Sequence, residues 1–198
     1  MTAVEKAYHH GDLRAALLSA ALESVEAGET PSMRAVARRA GVSPAAPYRH
    51  FADRDALDSA LAVLGFDELH DDLTTALVEV RSSATAAQTL GAVAIAYVDF
   101  ALRRPALFRL MFGGACDPEN SDRVRASGRL HALLGGVIAR FFPASDVVSL
   151  SQALWGLAHG LAFLHLDGKL RPEPTSEVEG RIRSSVTAII TLAEGASA

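Results

Sequence analysis

The chain has 198 residues, 49% of them hydrophobic, and a formal net charge of −4, so it can bury a sizeable core while its overall acidic balance would repel DNA. The single cysteine, Cys116, excludes an internal disulfide, and no Cys/His cluster has zinc-site spacing. Because we find neither an apolar run of membrane-spanning length nor the apolar segment of a signal peptide, we expect a cytoplasmic protein without a membrane partner, metal or cofactor.

The first predicted helix runs from about Asp12 to Ala27, where apolar residues recur at helical spacing, and Gly28 ends it. The second begins after Ser32, which occupies the N-cap position. Its apolar stripe consists of Met33, Val36, Ala37 and Ala40, and three arginines face outward: Arg34, Arg38 and Arg39. Gly41 then supplies the left-handed turn that lets the chain reverse into another helix.

The third predicted helix begins with Ser43 as its N-cap and Pro44 at its first position, where a missing N–H is tolerated. Pro47 forfeits an early helical hydrogen bond, so we expect a tight or distorted first turn. The side chains that follow are suited to contacts with phosphate oxygens: Tyr48, Arg49 and His50.

Two short helices that meet at a glycine and end at an aromatic residue, Phe51, form the pattern of a helix-turn-helix. Residues 28–52 contain four arginines and one acid, so positive charge is concentrated in this element of an acidic chain. We therefore predict a head that binds double-stranded DNA. The alternative is an ordinary helical hairpin with a solvated basic face.

The rest of the chain also reads as helices, which makes the predicted fold class all-α. Asp53 caps a long helix that ends near Arg81 and connects head to body, and Gly65 offers a point for a bend. Breaks at Gly113–Pro118, at Pro143 and at Gly168–Pro174 separate the further predicted helices. These are Thr85–Arg104, Pro105–Phe112, Ser121–Phe142, Ser145–Asp167 and Thr175–Glu194.

The motif from Trp155 to Leu161 places Trp155 and His159 on one helix face, and Gly156 and Gly160 on a strip where another backbone can approach closely. The surrounding helix is apolar nearly all round, as expected of an element buried between its own domain and a symmetry mate. The last helix would be its partner. We therefore predict a four-helix interface of a homodimer, with these residues: Gly156, Gly160, Ile182, Val186 and Ile189.

Residues 32–51 resemble the DNA-binding domain of TetR-type transcriptional regulators, and the resemblance extends over the whole chain. It implies a three-helix DNA-binding head, 1–52, followed by a helical ligand-binding and dimerisation domain, 53–198. It also implies that phosphates are held by Ser32, Ser43, Tyr48 and His50, and that Arg54 contributes to the same contacts. Arg34 is a further predicted DNA-binding residue. The base-facing positions depart from the polar mixture common in the family, because they are Pro44, Ala45, Ala46 and Pro47. Reading of bases would then rest on Arg49 and on alanine contacts with thymine methyl groups.

The Trp155 motif resembles the signature of one subgroup of these regulators, named for its tryptophan, histidine and glycine. Candidate residues for an apolar ligand cavity are Phe66, His70, Tyr97, Phe100, Met111, Phe112, His131, Trp155, His159 and Phe163. Core packing is the alternative for most of them, and for Trp155 and His159 it is the favoured one. His9 and His10 belong either to an arm near DNA or to plain surface. Cys116 is read as inert rather than as a redox sensor, because no basic neighbour lowers its pKa.

These observations predict a homodimeric repressor that is released from a palindromic operator when an unidentified small-molecule effector moves the long helix. A DNA-binding regulator without a ligand, or one controlled by another protein, is the alternative. An enzyme ranks last, because the sequence has no nucleophile elbow, phosphate loop or metalloprotease motif.

Overall fold

The computed structural model describes residues 13–113, 121–143 and 146–196, and every regular element in these ranges is helical. His9, His10, Cys116 and most of the predicted loop at Gly113–Pro118 lie outside them. The α-helices within the described residues are α1 (Leu13–Glu26), α2 (Met33–Arg39), α3 (Arg54–Glu79), α4 (Ala86–Arg103), α5 (Pro105–Phe112), α6 (Ser121–Phe141), α7 (Val147–Leu166) and α8 (Thr175–Ala196). The predicted all-α fold class is confirmed.

The helix starts follow the predicted capping rules. The Ser32 hydroxyl accepts a hydrogen bond from the Ala35 N–H at 3.2 Å, and the Asp53 carboxylate accepts one from the Ala56 N–H at 2.8 Å. Gly41 has a φ of +71°, the left-handed conformation that ends the α2 segment. The turn between α2 and the next element is therefore built as its residues predict.

The third predicted helix is wrong as an α-helix. In its place the structure has a single 3₁₀ turn, Pro47–Arg49. The Ala46 N–H donates to the Ser43 carbonyl at 2.9 Å, but Pro47 has no N–H to continue the series with an α-helical bond to the same oxygen. The tight first turn is thus the whole element, because no α-helix follows it. Ser43 therefore caps no helix.

Two hydrophobic cores are joined by α3. Leu57 and Leu61, in its first two turns, complete the core of the head with α1, α2 and Phe51. Phe66, Leu69 and other residues of its later turns belong to the core of the body. The head therefore does not end at residue 52, because its packing continues into the helix that follows.

The body is a bundle in which α4 packs against α3, α7 and α8, while α6 packs mainly against α3 and α7. Gly65 lies where α3 and α5 approach closely, since an added Cβ would lie 2.5 Å from the Met111 Sδ atom and the Met111 side chain would have to shift. Helix α7 is the one helix among the described residues that is long and apolar enough to cross a membrane, contrary to the expectation of no such run. One such helix is weak evidence for a membrane protein, because a core helix passes the same test.

The predicted interface stripe on α8 is partly wrong. Ile182 and Val186 are each 1% exposed, because they pack into the core of their own chain, so they present no surface to a partner. Ile189 is half-buried against the same core. The side of α8 that remains exposed includes Ser184, Ala188 and Leu192.

Candidate DNA-binding surface and ligand cavity

Most of the predicted DNA-binding residues lie on the surface of the head. Ser32, Arg34, Ser43, Pro44, Ala45, Arg49 and Arg54 are exposed, Tyr48 has 54% of its surface accessible, and His50 is half-buried. The Ser32 hydroxyl accepts a bond as the N-cap and keeps its hydrogen to donate. This surface offers cationic and hydroxyl groups of the kind that hold phosphates.

Two of the four predicted base-facing residues are poorly placed for that role. Pro47, in the 3₁₀ turn, is buried in the head, and Ala46 is half-buried. Pro44 and Ala45 remain exposed beside Arg49. The surface that can meet base edges is thus smaller than the sequence predicts.

Two arginines of this region carry partners within the chain. Arg39 donates to the Ser24 hydroxyl at 2.8 Å and pairs with Glu29 at 3.2 Å, so it is committed to the α1 side of the head rather than facing freely outward. Arg54 pairs with Asp58 at 3.3 Å, one turn along α3. A phosphate bound to Arg54 would have to share it with that carboxylate.

The body encloses a cavity of about 50 Å³ between α3, α4, α5, α6 and α7. Five of the ten candidate ligand residues line it, namely Phe66, Tyr97, Phe112, His131 and Trp155. His131 stands exposed at its edge and meets Trp155 edge to face, with ring centroids 5.0 Å apart. The remaining lining residues were missed by sequence reasoning: Leu73, Leu90, Val93, Ala94, Ser127, Leu130, Leu134, Leu154 and Ala158.

The other five candidates do not line the cavity. Phe100 and Met111 are each 1% exposed and belong to the core, and His70 lies 3.7 Å from Asp71 near the surface. Phe163 packs under the Arg109 guanidinium, 5.5 Å from ring centroid to Cζ. His159 sits behind the cavity wall, where its Nδ1 atom is 2.8 Å from the Tyr97 hydroxyl.

Burial disfavours the charged forms of both Tyr97 and His159. Burial raises the pKa of the Tyr97 phenol far above its ordinary value, and a hydrogen bond with Trp155 offsets only part of this rise. Burial also lowers the pKa of His159 below that of an exposed imidazole. The ring of His159 lies 4.7 Å from that of Phe112, so packing and one hydrogen bond account for its position.

Arg104 joins the head to the body at the break between α4 and α5. Its Nε atom lies 2.7 Å from the Glu26 carboxylate of α1, and its Nη1 atom lies 2.8 Å from the Glu68 carboxylate of α3. A single side chain therefore touches the head, the long helix and the body. Sequence reasoning missed this residue, because its partners are 78 and 36 positions away along the chain.

The glycine strip of α7 faces away from its own domain. Gly156 is exposed and Gly160 is half-buried, and a Cβ added at either would meet no atom within 4 Å. Leu164 follows on the same helix face, one turn further on, and is 43% exposed. An apolar surface of α7 is thus left uncovered by the described residues of its own chain.

Comparisons with known proteins place both parts of the chain. Residues 17–61 match the family described as "Bacterial regulatory proteins, tetR family", and residues 90–189 match "Tetracyclin repressor-like, C-terminal domain". A search of the curated proteins found no match.

Solved structures share the fold. A protein of unknown function from Rhodococcus sp. RHA1 is 35% identical, with a TM-score of 0.80 over 92% of this chain and 97% of that one. The transcriptional regulator FadR from Bacillus subtilis, in complex with stearoyl-CoA, is 13% identical, with a TM-score of 0.71 over 87% and 97%. The TetR family regulator PfmR from Thermus thermophilus is 19% identical, with a TM-score of 0.61 over 96% of each chain.

Proposed function

Because this chain belongs to the TetR family of DNA-binding transcriptional regulators, we propose that it is a homodimeric repressor released from a palindromic operator by a small molecule. One observation carries this proposal: α3 runs unbroken from the core of the basic head into the wall of an apolar cavity. Movement of that wall would change the distance between the two heads, which must match half-sites about 34–36 Å apart or a multiple of that.

On DNA, Ser32, Tyr48, His50 and Arg54 hold phosphates, with Ser43 and Arg34 beside them. Arg49 reads guanine, and Pro44 and Ala45 contact thymine methyl groups. The exposure of these residues, with His50 half-buried, supports the assignment. The burial of Pro47 removes it from the set, and Ala46 contributes at most an edge.

The homodimer forms through α7 and the exposed side of α8, as a four-helix interface. The open strip of Gly156, Gly160 and Leu164 supports this assignment, because an apolar surface with room for a neighbouring backbone is favourable only when covered. Leu192, which is 75% exposed, would extend the interface along α8. We also assign the chain to the tryptophan-histidine-glycine subgroup and to the cytoplasm.

A second candidate is a regulator controlled without a small molecule. The observation that favours it is the size of the cavity, since 50 Å³ is well below the roughly 300–1,000 Å³ of ordinary ligand sites. Selection of bound duplexes from random DNA gives the operator. A compound screen for release from that operator then separates the two candidates, because only the first predicts release.

The dimer is tested by Gly160→Leu. The added side chain should push the second subunit away, at a cost of about 1–3 kcal/mol or more. Sedimentation should show dissociation to monomers, and operator binding should fall because a single head makes half the contacts. The matched control is Gly136→Leu on α6, where an added Cβ also meets no atom within 4 Å. A stable Gly160→Leu dimer with full operator binding would place the interface elsewhere.

A further inference from the structure

The cavity of the body is lined mostly by apolar side chains. Its fourteen lining residues include no aspartate, glutamate, lysine or arginine, and ten of them are aliphatic or phenylalanine side chains. A charged group that entered would lose its hydration without meeting an opposite charge, which disfavours the ion strongly. The wall therefore selects against ionised molecules.

Two of the polar side chains that line the cavity are already hydrogen-bonded within the chain. The Tyr97 hydroxyl is bonded to His159 at 2.8 Å, and the Ser127 hydroxyl donates to the Val124 carbonyl of its own helix at 3.1 Å. Burial also disfavours a charge on either Tyr97 or His159. His131 remains at the edge of the cavity, where an exposed imidazole can bond to one polar group of a ligand.

Helix α6 is the wall best suited to yield when the cavity fills. It contains Gly128, Gly135 and Gly136, and glycine is a poor helix former. Among its described side chains only Ala126 and Ile138 are fully buried, whereas α4 buries ten residues. Expansion of a closed apolar cavity is favoured by a ligand that replaces lost contacts with apolar surface of its own.

We infer that the effector of this regulator is an uncharged, compact and largely apolar molecule with at most one hydrogen-bonding group, and that carboxylates, sulfonates and phosphates are rejected. This inference rests on the proposed function, since it names the ligand class of the site that the proposal uses. It predicts that the cavity binds a neutral probe more tightly than an anionic probe of nearly the same framework.

The probes are N-phenyl-1-naphthylamine, which is neutral, and 8-anilino-1-naphthalenesulfonate, which adds one sulfonate to nearly the same framework. Trp155 is the single tryptophan of the chain and lines the cavity, so energy transfer from it reports a probe bound there. We expect saturable quenching of Trp155 by the neutral probe. The anionic probe should bind at least about 30-fold more weakly.

Two variants and one control locate the binding site and test the origin of this preference. Ala94→Leu fills the cavity and should weaken binding of the neutral probe about tenfold or more, whereas Ala92→Leu, on the same helix but outside the lining, should leave it unchanged. Ser127→Arg places a cation at the half-buried edge of the cavity. It should strengthen binding of the anionic probe and bring the two affinities close together.

The outcomes separate the ligand class from the function. Equal or tighter binding of the anionic probe, abolished by Ala94→Leu, would overturn the inferred class while leaving a ligand site in the body. Absence of saturable binding of either probe, or binding that Ala94→Leu does not affect, would overturn the inference and also the ligand step of the proposed function. Operator binding without any probe tests the DNA-binding step on its own. Far-ultraviolet circular dichroism confirms that each variant is folded.

Discussion

The head and the body of this regulator place charge in opposite ways. Residues 28–52 hold four arginines and one acid, and Arg34, Arg38 and Arg49 are exposed to solvent. Among the described residues that line the cavity of the body there is no aspartate, glutamate, lysine or arginine. A chain with a net charge of −4 can thus present a cationic surface in one place and a neutral interior in another, which shows that local placement rather than overall balance decides what each region can bind.

A substitution in the core of the head tests whether the head and the body unfold together. Phe51→Ala should destabilise the protein by about 3–5 kcal/mol, because Phe51 is 3% exposed in the core of the head. Since α3 belongs to both cores, we expect one urea transition at a lower midpoint, seen equally by helicity and by Trp155 fluorescence.

The control is Tyr48→Ala, which removes an aromatic ring that is 54% exposed and should change stability little. A Trp155 transition that stays at the parent midpoint while helicity is lost earlier would mean that the head unfolds on its own. The head and the body would then be two independent domains.

A second substitution tests the role of the cationic surface of the head in DNA binding. Arg54→Ala should reduce the slope of log affinity for the operator against log salt by about one unit per head, because one phosphate contact is lost. Arg125→Ala, on the exposed surface of α6, should leave the slope unchanged. Titration of the neutral naphthylamine over the same salt range should show no comparable dependence. An unchanged slope in Arg54→Ala would remove this residue from the DNA contacts.

A third substitution concerns Arg104, which links the head to the body and should contribute little to stability. Arg104→Met removes the ion pairs with Glu26 and Glu68 and should cost about 1 kcal/mol or less, since partly exposed pairs are weak. It should nevertheless reduce the change in affinity for the neutral probe that operator DNA causes.

Arg183→Met, which breaks a pair within α8 alone, is the control for the loss of an arginine. Chemical denaturation and probe titration with and without operator measure the two quantities. Full coupling in Arg104→Met would show that the regions communicate through packing rather than through this side chain.

Sequence reasoning succeeded where local chemistry decides the structure. Ser32 and Asp53 cap helices as predicted, and Gly41 adopts the left-handed turn, because these effects depend on residues three or four positions apart. It failed at Pro47, where one missing N–H reduced a helix to a 3₁₀ turn. The proline was recognised, but its effect on the following residues depends on the competition between helical hydrogen bonds and packing.

The cavity could be predicted only in part, because lining and core residues have the same composition. Phe66 lines the cavity while Phe100 is packed solid, and nothing in the sequence near either ring distinguishes them. The same limit applies to Ile182 on α8. The sequence predicts that its stripe is buried, but the stripe packs into the core of its own chain and not against a second subunit. Periodicity shows that a face is covered, and tertiary packing decides by what.

The long helix α3 also has a consequence for the order of events during synthesis. Leu57 and Leu61 are needed to close the core of the head, and Leu22 and Leu110 pack against both cores. As the chain leaves the ribosome, the first 52 residues therefore lack part of the surface on which they fold, and α3 must follow before the head is complete. The newly made basic segment would then become competent for DNA only after α3 has emerged.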